Sequence, residues 1–256
     1  MADTRFAKQT LLEYTTEERD RFESTLCDLV EIPSVSVEPQ RRPEVARSAE
    51  FAAGLIRDMG GEARIIPTRG HPLVQGLFQR DPACPTVTVY NHLDVQPAEI
   101  GEGWDSEPFR FTRKGDRYFA RGTTDDKGPA LTALWGARYA WDRSAPVNIQ
   151  LLWECEEEIG SPNFETTIRA ERKRLRTDAV VVSDTIWVSR SRPACPAGLR
   201  GLQAFRFTLE TGKTDQHSGT CGGAAWNIGS IRAFFPGRAS FTWTAGGVGT
   251  SNTDPG

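Results

Sequence analysis

Three consecutive glutamates, Glu156, Glu157 and Glu158, follow an apolar run in NIQLLWECEEEIGSP, which spans Asn148 to Pro162. Adjacent carboxylates repel, and a desolvated one takes up a proton unless positive charge compensates it. Other apolar runs end in a similar way. TVTVYN leads into His92 and Asp94, a hairpin-like stretch leads into Asp125 and Asp126 in RGTTDDKGP, and AVVVS leads into Asp184. In an open α/β sheet, ligands collect outside the carboxyl ends of the strands, so these segments deliver acids and an imidazole to one rim. With His92 and Lys127 as the nearby positive candidates, such a rim requires cations among the acids.

Ligand type narrows the ion. Imidazole with carboxylates and no thiolate suits zinc, with manganese or cobalt as alternatives. This many carboxylates suits two ions better than one. Such a centre polarises a carbonyl and activates water, and it needs a further carboxylate, not itself a ligand, to take the proton. Read as strand neighbours, Glu157 and Glu158 point to opposite sides and divide the roles of base and ligand. Glu156 reads as solvated, as charge runs usually are. His71 reads as a loop residue and Cys155 as packing.

The elements that must position these groups follow from periodicity. YTTEERDRFESTLCDLVEIPS reads as one amphipathic helix, with Thr15 and Glu18 in capping-box spacing and Phe22, Leu26, Leu29 and Val30 on one face. PEVARSAEFAAGLIRDMGG reads as a second, carrying Val45, Ala49, Ala52, Leu55, Ile56 and Met59 and stopping at Gly60 and Gly61. ARIIP, LVQGLFQ, TVTVYN, VNIQLLWE and DAVVVSD read as strands. FRFTRKGDRYFARG reads as a hairpin turning at Gly115 and Asp116, and GPALTALWGARYAWDR and PNFETTIRAERKRLR as helices. Helices alternating with apolar strands predict an α/β fold with a mostly parallel sheet sandwiched by helices. Near Pro196 the pattern shifts to a longer alternating strand and a Gly-rich loop, the entry to a second domain. From about Gly229 no helical or strand period is sustained, and 229–256 reads as an atypical, unstructured tail.

Composition limits the alternatives. The 256 residues are 38% hydrophobic, enough for a substantial core. A formal net charge of -3, without a basic cluster interleaved with aromatics, argues against a nucleic-acid partner. No apolar stretch is long enough to span a bilayer, and MADTRFAKQT lacks the apolar core of a signal peptide, so a cytoplasmic protein is expected. The five cysteines, at positions 27, 84, 155, 195 and 221, are odd in number and form no CxxC pair, which disfavours a disulfide framework and a thiolate zinc site.

HLD, ARGTTDDKGP, EEIGS and VVSDT, in this order and spacing, resemble the carnosinase-type branch of the di-zinc metallopeptidases, which also contains aminoacylase, glutamate carboxypeptidase and succinyl-diaminopimelate desuccinylase. The resemblance covers roughly Thr15 to Asn227. It implies a zinc-exopeptidase-like catalytic domain over residues 1–196, the start of an α+β lid and dimerisation domain over 197–228, and hydrolysis of an amide bond in a dipeptide or N-acyl amino acid. It further implies that His92 and Asp184 bind one zinc, that Glu158 binds the second, and that Asp125 bridges both through a segment with a cis Asp125–Asp126 peptide. Asp94 would orient the His92 ring, Glu157 would be the general base, and His217 would reach across a homodimer to the developing oxyanion. The family's second zinc takes a further histidine after the lid, and none follows His217 in this sequence. The chain therefore reads as a truncated or frame-disrupted member, with a catalytically inactive metal-binding fragment as the rival to an active enzyme.

Overall fold

The computed structural model describes residues 4–184, positions 189, 192, 194, 196 and 198, and the main chain of 242–245 and 248–251. The chain divides into two compact units, Met1–Pro196 and Ala197–Gly256.

The first expected helix is two: α1 (Lys8–Glu17) and α2 (Arg19–Val30). The capping box does not form. Thr15 lies inside α1, where its hydroxyl donates to the Leu12 carbonyl at 2.9 Å, the usual outlet for a mid-helix threonine. Glu18 takes the N-cap position of α2 without a side-chain cap. The apolar stripe is as expected, with Leu26, Leu29 and Val30 buried and Phe22 edge-on to Trp135 at 5.2 Å. Helix α3 (Arg42–Asp58) buries Val45, Ala49, Ala52 and Ile56, and the chain leaves it through Gly60 at φ +85°.

A five-stranded sheet runs in the order β1 (Glu62–Ile66), β2 (Leu73–Phe78), β6 (Asn148–Glu154), β3 (Thr86–His92), β7 (Ala179–Val182). The β1–β2 and β2–β6 pairs are antiparallel, whereas β6–β3 and β3–β7 are parallel. The parallel half serves the site, because parallel neighbours end at the same edge: His92 is opposite Glu154, and Tyr90 opposite Val182. Between β3 and β6 lie the hairpin β4 (Thr112–Lys114) and β5 (Arg117–Phe119), then α4 (Lys127–Asp142). Helices α3 and α4 pack on the face that carries Val74, Leu151 and Trp153. Helix α5 (Phe164–Glu171) lies over the other face, where Phe164 meets Tyr90 edge-on at 5.6 Å. Close approach of α3 requires Gly76, since a Cβ there would stand 2.9 Å from Ile56 Cδ1.

In the second unit, β8 (Thr242–Ala245) pairs antiparallel with β9 (Val248–Ser251). Both strands fall within 229–256, where the sequence sustains no strand period. TWTA and VGTS are short, but they flank a Gly-Gly pair, the composition a two-residue hairpin connection favours. Among the described residues, no helix is long and apolar enough to cross a membrane.

Candidate metal centre

Strand β3 ends in His92, whose side chain is wholly buried. Its Nδ1 stands 3.0 Å from the Asp94 main-chain oxygen and 3.5 Å from Asp94 Oδ1. A carbonyl oxygen can only accept, so Nδ1 carries the hydrogen and Nε2 is the nitrogen that faces the acids. Around Nε2 stand Asp125 Oδ1 at 2.9 Å, Asp184 Oδ2 at 3.7 Å and Glu157 Oε2 at 3.9 Å. One ligand atom from each of His92, Asp125 and Asp184 falls within 4.8 Å of the others. Parallel pairing brings this about: β7 runs beside β3, and the Ser183 amide donates to Tyr90 O, which sets Asp184 alongside His92.

Asp125 arrives on a tight strap between β5 and α4, with a cis Asp125–Asp126 peptide as the resemblance implies. The Asp126 carboxylate turns inward, where its Oδ2 accepts from the His92 amide at 3.0 Å and from Asn91 Nδ2 at 2.8 Å. Sequence reasoning assigned Asp126 no contact of its own. Its adjacency to Asp125 gave no hint that the two carboxylates face opposite ways.

The glutamates do not continue a strand. Glu157–Ile159 is a 3-10 turn, so the alternation argument for dividing Glu157 from Glu158 is overturned. Asp94 caps that turn, with its carboxylate oxygens accepting from the Glu157 and Glu158 amides at 3.2 and 3.1 Å. Asp94 thus binds the glutamate turn as well as standing beside the His92 ring. Glu157 faces His92, whereas Glu158 Oε2 accepts from Gln96 Nε2 at 2.6 Å. Gln96 was not anticipated, although it follows closely in HLDVQP.

Two more expectations are corrected. Glu156 is 4% exposed, not solvated: its Oε1 accepts from the His71 amide at 2.8 Å and its Oε2 from Asn163 Nδ2 at 2.9 Å. Those fixed donors outside the run compensate the burial. Lys127 does not neutralise the rim: its ammonium points away, to the carbonyls of Leu29 and Ile32. His217 lies outside the described residues.

The charges conflict. Burial, the largest influence on His92, would depress its pKa, but Asp94, Asp126 and Asp184 outweigh it and push the value to about 10. Burial raises Glu157, Glu158 and Asp184 above the usual carboxylate range; His92 pulls Glu157 and Asp184 back, while Asp125 raises all three further. Burial pushes Asp126 up to about 7. Each shift marks anionic charge that the surroundings leave uncompensated. Glu158 Oε1 is buried without a hydrogen-bond partner among the described residues. The donor set, an imidazole nitrogen with Asp125 and Asp184 oxygens and an unpartnered glutamate oxygen beside them, fits a divalent ion.

The family model for peptidase family M20/M25/M40 matches residues 88–248, more than half of the chain. The chain belongs to this family. The match runs past Asn227, where the sequence reading ended the resemblance. Cys-Gly metallodipeptidase dug1 of Schizosaccharomyces pombe is 37% identical over 229 residues, 83% of this chain and 48% of that protein. Beta-Ala-His dipeptidase of Homo sapiens is 34% identical over 236 residues, 84% and 46% of the two chains. The crystal structure of human carnosine dipeptidase 1 superposes with a TM-score of 0.64 at 31% identity, covering 71% of this chain and 42% of that one. The M20 chain spans about half the length of the curated relatives it matches.

Proposed function

We propose that the chain is the metal-binding catalytic part of a zinc metallopeptidase of the dipeptidase or aminoacylase type, which hydrolyses the amide bond of a dipeptide or N-acyl amino acid. The observation that carries this reading is the convergence of His92, Asp125 and Asp184, with Glu157 Oε2 3.9 Å from the same imidazole nitrogen. Relatives named for Cys-Gly and beta-Ala-His cleavage support a dipeptide substrate.

His92, Asp125 and Asp184 would hold one ion, and Asp125 with Glu158 would contribute to a second. When bound, zinc supplies Lewis acidity toward the scissile carbonyl and lowers the pKa of water; manganese or cobalt could substitute. The chain's own groups do the rest. Asp94 holds the glutamate turn by its amides, so Glu157 is presented to the rim from a fixed backbone. With its pKa raised by burial and by neighbouring acids, Glu157 is a stronger base than an ordinary carboxylate, and it takes a proton from the attacking water and returns it to the leaving amine. Gln96 keeps Glu158 turned from that role by holding its Oε2.

Homodimerisation, with His217 reaching the partner's oxyanion, belongs to the same proposal. A cytoplasmic location does too, supported by the free thiols of Cys27, Cys84 and Cys155. Zinc titration by calorimetry, combined with turnover of Cys-Gly and beta-Ala-His, tests the reading. Zinc binding with hydrolysis abolished in Glu157→Ala supports it. Zinc binding without turnover leaves the inactive fragment instead.

A further inference from the structure

We propose that Lys127 is a positioning residue for the metal centre: its ammonium ties the Asp125 strap to the end of helix α2 and so sets Asp125 against His92. This inference rests on the metal-centre reading above.

Lys127 is 0% exposed, yet among the described residues no carboxylate lies within ion-pair distance of it. Its Nζ donates to Ile32 O at 2.6 Å and to Leu29 O at 3.1 Å, carbonyls at and just past the C-terminal end of α2 that also accept the Ser34 and Ile32 amides. Burying an ammonium against neutral acceptors is costly, and a buried methionine would fill the same space without that cost. A polar head kept there, with two hydrogen bonds to main-chain carbonyls, needs a reason beyond packing.

Strap geometry supplies one. Gly128 N donates to Gly122 O at 3.1 Å, closing a loop that has Asp125 near its apex. The lysine stem runs beneath that loop: a Cβ on Gly122, whose φ is +91°, would come within 3.1 Å of Lys127 Cδ. At Gly128 a Cβ would stand 2.0 Å from Thr123 O, so the loop closes tightly. The Asp125 carboxylate itself is 55% exposed, and no hydrogen bond other than that with His92 reaches it among the described residues. Its place is set by the strap, which Asp126 fastens to the His92 amide and Lys127 fastens to the end of α2.

What the lysine is anchored to matters as much. Segment 29–36 also holds the His92 loop, through Ser34 Oγ to Leu93 O at 2.7 Å and Val95 N to Ser34 O at 3.1 Å. It reaches the glutamate turn as well, since His71 Nε2 meets Ser36 O at 3.1 Å while the His71 amide donates to Glu156. One short segment therefore registers three ligand-bearing loops against one another, and Lys127 is the strap's connection to it.

The test is cobalt(II) titration of the full chain, followed by visible absorption and far-UV circular dichroism, for wild type, Lys127→Met, Lys127→Gln and the core control Leu131→Ala. The expected result is a folded Lys127→Met with cobalt affinity reduced roughly 10–100-fold and an altered ligand-field spectrum, while Leu131→Ala loses stability but keeps wild-type affinity and spectrum. Wild-type affinity and spectrum in Lys127→Met would overturn the inference. Failure of both lysine variants to fold would overturn it too, by assigning Lys127 to the fold alone. Absence of cobalt binding in wild type would instead remove the metal-centre reading, and this inference with it.

Discussion

The carboxylate of Asp126 accepts the main-chain amide of His92 at 3.0 Å, so the segment that presents Asp125 also grips the strand end that presents the imidazole. Two candidate ligands far apart in sequence are locked together by the residue next to one of them. Replacing Asp126 with alanine leaves the His92 amide and Asn91 Nδ2 without that acceptor in a buried setting, at a cost of about 1–3 kcal/mol per group. Urea unfolding of Asp126→Ala should show a lowered midpoint with an unchanged slope.

Zinc should stabilise the chain. At a hundredfold excess over the dissociation constant the gain is about 2.7 kcal/mol, read as a rise in Tm that a chelator reverses. His92→Ala should abolish the rise, because the imidazole is the nitrogen donor about which Asp125 and Asp184 gather. A rise of equal size in that variant would place the ion elsewhere.

Glu157→Gln should separate binding from chemistry. The amide keeps the shape of the side chain and cannot take the proton, so kcat on a dipeptide should fall roughly 10²–10⁴-fold with zinc stoichiometry unchanged. Loss of zinc in this variant would make Glu157 a ligand instead.

Glu156 offers a control from the same run of acids. Its carboxylate holds the His71 amide and Asn163, and a Cβ at Gly70 would fall 1.8 Å from Glu156 Oε1, so this corner has no slack. Glu156→Ala should destabilise the fold by at least about 1–3 kcal/mol through the unpaired donors. Glu157→Ala, on the more exposed neighbour, should cost far less, and thermal unfolding compares the two directly.

A pH effect should arise away from the centre. The Tyr118 hydroxyl donates to Glu23 Oε1 at 2.6 Å, joining β5 to α2, and this bond, with Arg113 and Arg19 adding against burial, holds the Glu23 pKa below its ordinary value. A depressed carboxylate contributes stability above its unfolded pKa and loses it as pH falls through the folded value. Tyr118→Phe should therefore be destabilised near neutral pH by roughly 1 kcal/mol, and the difference from wild type should shrink in acid, where the protonated carboxyl is a weaker acceptor. A difference independent of pH would refute this assignment.

Local pattern made much of this protein legible. The β-branched run at Thr86–Tyr90, the alternation about Gly115 and Asp116, and the stripe from Val45 to Ile56 each announce an element, because periodicity and turn chemistry act over a few residues. The acids and histidine that follow the strands, and the rim they form, could be read the same way, since strand ends in a parallel sheet share an edge. Tertiary structure decided where each charge looks. Glu156 and Glu157 are neighbours, yet one is buried on the amide of His71 and the other faces His92. Asp125 reaches the imidazole while Asp126 turns to the main chain behind it, and Lys127 leaves the rim for the end of α2. Sequence specifies which groups are present, but the direction of a side chain in a turn depends on donors and acceptors contributed by segments dozens of residues away, and these meet only when the sheet and helices pack.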